Sequence, residues 1–204
     1  MSSARFLVAV LVALSTLAAV AGCARSALDV RYAEAGANRA MLASVPPRRV
    51  AIPPMTDRRM DTTRIGRQPK SAKDIVTRRP VVDIVREALA IEVSKNGHSV
   101  VSDGKDVVLA ADVEEFWLDV IAGSPKSQYV GKVAIAVLVA DGRSGDTLLT
   151  RRYVGIKRLQ ADTDSKTAGR DVMDAALART IHDFATDPQL IMALARVETA
   201  ERPR

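Results

Sequence analysis

The sequence contains only one cysteine, Cys23, among its 204 residues. A single thiol can form no disulfide within the chain, and it supplies no cluster of thiolate ligands for a structural zinc ion. Aromatic residues are also scarce, at 3% of the composition against 48% for all hydrophobic residues. The stability of the fold must therefore come from the packing of aliphatic side chains.

Motifs for nucleotide binding and catalysis are missing as well. The glycines show no G-x-G-x-x-G or Walker spacing, which argues against a loop that cradles phosphate. The two histidines, His98 and His182, lack the spacing of a zinc site, and both are expected at the surface. Trp117, the only tryptophan, is expected to pack in the core or on the sheet.

Acidic residues offer no better catalytic candidate. Four of them crowd one predicted strand: Asp112, Glu114, Glu115 and Asp119. Alternation along a strand would divide these carboxylates between its two faces, so we expect them to be solvated rather than paired for acid–base work. The sequence therefore predicts a protein that is not an enzyme and has no metal site and no cofactor.

The first 22 residues have the organisation of an export signal. Arg5 lies in a short leading region, an apolar stretch follows at residues 6–17, and small residues end the segment at 18–22. The apolar stretch is shorter than the roughly 20 residues that a membrane-spanning helix needs. We therefore predict that residues 1–22 are a signal peptide and are removed.

Two cleavage sites compete at the end of this segment. Ala19-Val20-Ala21 fits the A-x-A rule of secretory cleavage, which would leave Cys23 as a free thiol in an oxidising compartment. Val20-Ala21-Gly22-Cys23 instead resembles the bacterial lipobox, in which the cysteine receives a diacylglycerol and becomes an acylated N-terminus. Lipidation would use the lone thiol, and two acyl chains already make a stable anchor. We predict a lipoprotein modified at Cys23, with simple secretion as the alternative.

The residues after the cysteine indicate location and domain organisation. Ala24 rather than Asp follows Cys23, which by the sorting rule of diderm bacteria implies the outer membrane, with the protein facing the periplasm. Residues 23–47 are rich in Ala, Arg and small polar residues without sustained periodicity, so we predict a lipidated tether. Residues 48–197 are predicted to form one domain, and residues 198–204 a C-terminal tail.

Positive charge is concentrated in one part of the predicted domain. Residues 48–79 contain ten Lys or Arg against three Asp, whereas the whole chain has a net charge of +6. After a short first strand at residues 49–57, this segment has little hydrophobic content and is predicted to be a long loop. Four of its arginines are candidate anion contacts: Arg58, Arg59, Arg64 and Arg67. A merely solvated basic loop is the alternative.

Hydrophobic periodicity in the rest of the domain predicts an α+β fold. Helices are predicted from Pro80 to Gly97, over residues 172–184 and from Asp187 onward. Strands are predicted at 98–102, 107–121, 130–140 and 147–156, with a bulge near Glu114 and Glu115. Large aliphatic residues share one face of the strand at 130–140, where we expect helices to pack. The sequence thus predicts a mainly antiparallel sheet of about four to five strands with helices on one face.

Several segments together resemble the YajG-type family of bacterial lipoproteins. They are the helix end KNGHSVV, the strand VVLAADVEEFWLDV, the hairpin GKVAIAVLVADGRSGDTLLTRRYVG and the final AGRDVMDAALARTIHDFATDPQLI. Asp57-Arg58 and Arg64-Ile65-Gly66 are similar to the D-x-R and I-G elements that such proteins carry after their first strand. The resemblance covers residues 48–194 and implies an envelope domain of this build. Auxiliary lipoproteins of envelope ABC transporters and lipoprotein activators of peptidoglycan synthases share this general build.

These features predict a lipid-anchored, non-catalytic binding or scaffold module of the cell envelope. We expect its partners to be the membrane, through the lipid on Cys23, and another envelope protein, with no nucleic acid involved. The alternative is an anion-recognising module that contacts lipid head groups, lipopolysaccharide or peptidoglycan through the basic loop. A periplasmic hydrolase is a third possibility, for which the sequence offers no catalytic signature.

Overall fold

Nine strands in one mixed sheet and three α-helices form the part of the protein that the computed structural model describes, residues 25–32 and 41–197. The predicted signal peptide, Cys23 and the tail at 198–204 lie outside the described residues. The strands are β1 (Ser26–Leu28), β2 (Arg49–Ala51), β3 (Thr56–Asp57), β4 (Gly66–Arg67), β5 (Asp74–Thr77), β6 (Ser99–Val100), β7 (Val107–Ile121), β8 (Lys126–Asp141) and β9 (Thr147–Asp162). The helices are α1 (Val81–Lys95), α2 (Ala168–Ala185) and α3 (Pro188–Arg196), and a 3₁₀ helix spans Met41–Ser44.

The long strand β7 organises the sheet. One edge of β7 pairs with β8 in antiparallel register, and β9 pairs with the other edge of β8. The second edge of β7 is covered in succession by β2, β3 and β4, all parallel to it. β5 then pairs with β4, β1 with β5, and β6 with β2. The prediction of four to five mainly antiparallel strands is corrected to nine strands in a mixed sheet, because strands of two to four residues are too short to show alternation.

The predicted helices and the predicted long strands are present. α1, α2 and α3 occupy the predicted helical segments, and a register shift between Val113 and Glu115 confirms the bulge in β7. β9 extends six residues beyond its predicted end at Ile156, to Asp162. Residues 156–160 are all exposed, so they show no alternation of apolar and polar residues from which a strand could be predicted.

The helical layer packs on the face of β8 that carries the larger aliphatic side chains, as predicted. Ile135 on this face is completely buried, and so is Ile181 on α2. Thr180 of α2 donates a hydrogen bond from Oγ1 to the carbonyl oxygen of Val133, at 3.2 Å. A Cβ at Gly155 of β9 would lie 2.2 Å from the carbonyl oxygen of Ala176, so only glycine lets α2 approach the sheet this closely.

Part of the predicted tether belongs to the folded domain. β1 pairs with β5, and Val30, Leu42 and Val45 are at most 4% exposed. The prediction of a free tether over residues 23–47 is therefore wrong for 25–32 and 41–47, the portions that the structure describes. These buried residues are isolated in sequence among small and polar neighbours, so they produce no periodic pattern.

His98 was expected at the surface but is only 5% exposed. Its ring joins two segments, because Nδ1 accepts a hydrogen bond from the Arg48 backbone N–H at 3.1 Å and Nε2 lies 3.2 Å from the Leu42 carbonyl oxygen. This arrangement requires a neutral ring that carries its proton on Nε2. Burial lowers the pKa of His98. His182 is exposed, as predicted.

Candidate anion-binding segment and cleft

The basic segment expected to be a long loop contains β4 and β5 and is fixed to the sheet through Ile65. Its backbone N–H donates to the Ile75 carbonyl oxygen at 2.7 Å, and its carbonyl oxygen accepts from the N–H of Leu118 in β7 at 2.6 Å. At the next position, Gly66, a Cβ would lie 2.3 Å from the Leu118 carbonyl oxygen. The Ile65-Gly66 pair thus anchors this segment to β7, and glycine is required by the close approach of the two backbones.

Arg59 is built into the turn that precedes β4. Its side chain is 6% exposed and forms an ion pair with Asp57 at 2.7 Å. It also donates hydrogen bonds to the carbonyl oxygens of Arg64, at 3.0 Å, and Thr62, at 3.3 Å. The guanidinium therefore closes the turn at residues 59–64, because it donates to carbonyl oxygens at the end of that turn.

The other three predicted arginines also have carboxylate partners. Arg58 pairs through Nε with Asp112 of β7 at 2.8 Å, although its side chain is 66% exposed. Arg64 and Arg67 both approach Asp74, at 3.0 and 3.5 Å. Arg64 Nε additionally lies 2.7 Å from Asp61 Oδ2, an ion pair without hydrogen-bond geometry. The hydrogen bond from Arg64, supported by Arg67, holds the pKa of Asp74 below its usual range.

A cleft lies between this turn, the end of β5 and the start of α1. Its volume is about 360 Å³, and it is lined by five arginines and a single carboxylate, that of Asp57. The five are Arg25, Arg59, Arg64, Arg78 and Arg79. Two of the four predicted contacts, Arg59 and Arg64, thus come together here, whereas Arg58 and Arg67 are not among the lining residues.

The cationic lining of the cleft is only partly neutralised. Arg79 forms an ion pair with Glu87 of α1, but neither Arg25 nor Arg78 forms an ion pair with any residue that the structure describes. Guanidinium groups bind carboxylate and phosphate oxygens through two parallel hydrogen bonds, which makes arginine suited to such anions. Arg25 lies within the predicted tether, so its part in the cleft could not be inferred from the basic segment alone.

Three of the four candidate carboxylates of β7, those of Asp112, Glu114 and Asp119, are paired with cations rather than with one another. Glu114 contacts Arg152 at 2.6 Å, and Asp119 contacts Lys132 at 3.0 Å. Half-buried Trp117 donates from its indole N–H to Asp119 at 2.8 Å, which fits a packing role on the sheet. No group of three or more His, Cys, Asp or Glu residues that could hold a metal occurs among residues 25–32 and 41–197. No helix in these ranges combines the length and the apolar character needed to cross a membrane.

Comparison with solved structures supports the fold. A protein from Xanthomonas campestris in the DUF330 family matches with a TM-score of 0.56 at 14% identity, covering 82% of this chain and 95% of that one. A hypothetical protein from Chlamydia trachomatis has a TM-score of 0.45 at 13% identity, covering 68% of this chain and 93% of that one. A minor lipoprotein from Acinetobacter baumannii has a TM-score of 0.39 at 11% identity, covering 78% of this chain and 99% of that one. Only the first is similar enough to carry weight, and at this identity it shows the fold alone.

The family comparison concerns most of the folded domain. A search of curated proteins found no significant match. The model of the Lipoprotein_16 family, described as uncharacterized lipoprotein, matches residues 55–195. This range runs from just before β3 to α3 and includes the Asp57, Arg59 and Ile65-Gly66 contacts described above. The chain therefore belongs to this family of uncharacterized lipoproteins.

Proposed function

We propose that this chain is a YajG-like lipoprotein of the outer membrane, anchored by acyl chains on Cys23, with its domain facing the periplasm. Membership of a lipoprotein family over residues 55–195 is the observation that carries the proposal. The lipobox-like Val20-Ala21-Gly22-Cys23 supplies the matching modification site. A diacylglycerol together with an N-terminal acyl chain provides more than the two lipid signals that stable membrane attachment requires.

The domain acts as a non-catalytic binding or scaffold module for another envelope protein. Three of the polar side chains that could be mistaken for catalytic groups have structural partners, which supports this role. His98 is buried between two backbone groups, and Glu114 and Asp119 are each paired with a cation. A general base must be able to reach a substrate proton, and the hydrogen bonds of the buried His98 ring hold it away from solvent.

Substitution of the lipidated cysteine tests this proposal. We expect the wild-type chain to incorporate a palmitate analogue and to fractionate with the outer membrane. Cys23→Ser should lose the label and become soluble or retain its signal peptide, because the acyl chains are its stable anchor. An unlabelled wild-type protein in the soluble periplasmic fraction would contradict the proposal and favour simple secretion.

The second candidate function is recognition of anions, namely lipid head groups, lipopolysaccharide or peptidoglycan. The observation that favours it is the cleft lined by five arginines, two of which, Arg25 and Arg78, form no ion pair within the described chain. Arg58 and Arg67 remain candidate contacts outside the cleft, since their side chains are 66% and 54% exposed. A protein tethered beside anionic surfaces would gain affinity from each such cation, in a salt-dependent manner.

A further inference from the structure

β9 forms an edge of the sheet that no other described strand covers. Of its 16 residues, all but Leu148 pair with β8, and none pairs with another strand of the described chain. Alternate residues of an antiparallel edge strand direct their N–H and C=O groups away from the partner strand. No backbone hydrogen bond joins residues 148–161 to any other described segment outside the β8 ladder. With respect to residues 25–32 and 41–197, the outer edge of β9 thus offers a row of free backbone donors and acceptors that could pair with another strand.

The second half of this edge also exposes aliphatic side chains. Residues 156–160 are exposed without interruption just after Gly155, where α2 packs against β9. Ile156 is 48% exposed and Leu159 is 36% exposed. Because these two residues are three apart in a strand, they lie on opposite faces of the sheet. A strand added to this edge would therefore find an apolar neighbour on each face.

The same stretch is basic. Lys157 and Arg158 lie between the two aliphatic residues, and β9 contains no acidic residue before Asp162. Neither Lys157 nor Arg158 forms an ion pair with a described residue, whereas Arg151 and Arg152 are paired with Asp187 and Glu114. Basic residues on an edge commonly serve only to prevent aggregation. That role explains the two cations but leaves the exposed Ile156 and Leu159 unexplained.

Charge also disfavours several registers in which a second copy of this strand could pair with the edge. Residues directly opposite each other in such an antiparallel pair lie on the same face of the sheet, so a pair of β9 strands centred on Lys157 or on Arg158 would place that cation opposite its own copy. A pair centred on Gly155 would place Arg152 opposite Arg158. Like charges directly opposite each other destabilise a strand pair. An acidic strand would instead bring a carboxylate beside each of Lys157 and Arg158, which form no ion pair within the described chain.

We propose that the outer edge of β9 over residues 154–161 binds an extended acidic segment of another envelope protein as an additional strand. The side chains specify the segment, because each residue of an added strand lies beside a residue of β9 on the same face. Apolar residues are required beside Ile156 and Leu159, and acidic residues beside Lys157 and Arg158. The resulting order, apolar-acidic-acidic-apolar, reads the same in both directions and so suits parallel or antiparallel addition. This inference rests on the proposed role as a binding module and identifies its binding surface.

The probe for this test is the capped peptide Ser-Thr-Val-Glu-Glu-Val-Thr-Ser with a fluorophore at one end. Binding to the full chain, purified in detergent from whichever cell fraction contains it, is measured by anisotropy, and protected amides are located by hydrogen exchange. We expect saturable binding that slows exchange at alternate residues of 154–161. A peptide with both Glu changed to Lys should not bind. Absence of binding by the Glu peptide, or protection elsewhere in the chain, would overturn the proposal.

Two N-methylated versions of the peptide separate strand addition from electrostatic adsorption. One carries N-methyl groups on its odd residues and the other on its even residues, so each lacks the donors of one edge. Strand addition requires that one version binds and the other does not. Binding of both, or of neither, would overturn the proposal, since adsorption through charge does not depend on which edge is blocked.

Variants of the protein complete the test. Lys157→Glu with Arg158→Glu should weaken binding of the Glu peptide at least tenfold and create binding of the Lys peptide. Lys70→Glu with Lys73→Glu makes the same change in net charge on exposed residues near β5 and should leave binding unchanged. A chain that ends at Val197 tests whether residues 198–204 occupy the edge, and tighter peptide binding by it would contradict the proposal. The peptide assay does not depend on lipidation of Cys23, so its failure is distinguishable from failure of the proposed function.

Discussion

Arg59 and Asp57 are joined by two hydrogen bonds, from Nε to Oδ1 at 2.9 Å and from Nη2 to Oδ2 at 2.7 Å. A single residue separates them in sequence. The Arg59 guanidinium also donates a hydrogen bond to the carbonyl oxygen of Arg64. The D-x-R element of the sequence thus has a structural explanation, since it closes the turn that leads into Ile65 and Gly66. An anion-binding role for the segment must rest on arginines that are less fully engaged.

We predict that Arg59→Ala destabilises the domain by about 1.5–3 kcal/mol, the range for losing a hydrogen bond to a charged group when its partners remain unsatisfied. Arg59→Lys should not restore the stability, because an ammonium cannot reproduce the bidentate geometry. Urea unfolding followed by circular dichroism measures both effects. Arg58→Ala is the matched control and should change the unfolding free energy by less than about 0.5 kcal/mol. Equal losses of unfolding free energy in Arg58→Ala and Arg59→Ala would contradict the structural role of the Arg59–Asp57 pair.

The packing of α2 on β8 leads to a second prediction. Ile135→Asp and Ile181→Asp should each prevent folding, because both side chains are fully buried and a buried charge adds a desolvation cost to about 1.5–3 kcal/mol of lost burial. Glu115→Ala, at a half-buried position in the bulge of β7, should be mild by comparison. Thermal melting distinguishes the two outcomes. Cooperative melting of both Asp variants near the wild-type temperature would refute the assigned packing.

His98 makes the stability of the domain depend on pH. Burial lowers the folded-state pKa of His98 below 6.5, so the unfolded chain binds the proton more tightly. The contribution of this group is therefore fully present above pH 6.5 and is lost as the pH falls through the lower folded-state value. We expect the unfolding free energy of the wild type to decline below pH 6.5, relative to that of His98→Gln. His182→Gln should follow the wild type, and a profile of His98→Gln that parallels the wild type would contradict this prediction.

Much of the fold could be predicted from the sequence because its long elements are regularly patterned. Val133, Ile135 and Val137 alternate with alanine, and the stripe of α2 that includes Ile181 repeats at helical spacing. The two-residue strands β3 and β4 could not be predicted, since they exist through pairing with the distant β7. Leu42 and His98 illustrate the same limit. Each is buried against a segment more than 50 residues away in the chain, and nothing in its neighbouring sequence indicates that contact.

The candidate site was only partly predictable for a related reason. The concentration of charge at residues 48–79 drew attention to Arg59 and Arg64, and the structure places both in the lining of the cleft. Composition could not indicate that Arg59 serves the backbone or that Asp112 would neutralise Arg58. Arg25 joins the cleft only because β1 returns to pair with β5.

The proposed anion recognition predicts unequal roles for two groups of arginines. The full chain carrying Cys23→Ser, which has no acyl anchor, should bind vesicles that contain anionic phospholipid at low salt. Changing Arg25 and Arg78 together to Ala should weaken this binding about 30-fold, since each unpaired cation near an anionic membrane contributes about 1 kcal/mol. Changing Arg58 and Arg67 to Ala should have a smaller effect, because Asp112 and Asp74 already neutralise them. Cosedimentation measures the affinities. Absence of binding at low salt would show that the segment is a solvated surface. Equal losses of vesicle affinity in the two sets of variants would contradict the proposal that the cleft binds the anions.

Mass spectrometry of the N-terminal peptide tests the central claim most directly, because it identifies both the cleavage site and the modification. Trypsin should release Cys23-Ala24-Arg25 from the membrane-purified protein. We predict that this tripeptide carries a diacylglycerol on the Cys23 sulfur and an acyl chain on its amino group, and that no residue precedes it. A peptide that begins at Gly22 and carries a free thiol would show secretory cleavage after Ala21 and would contradict the account of a lipid-anchored envelope protein.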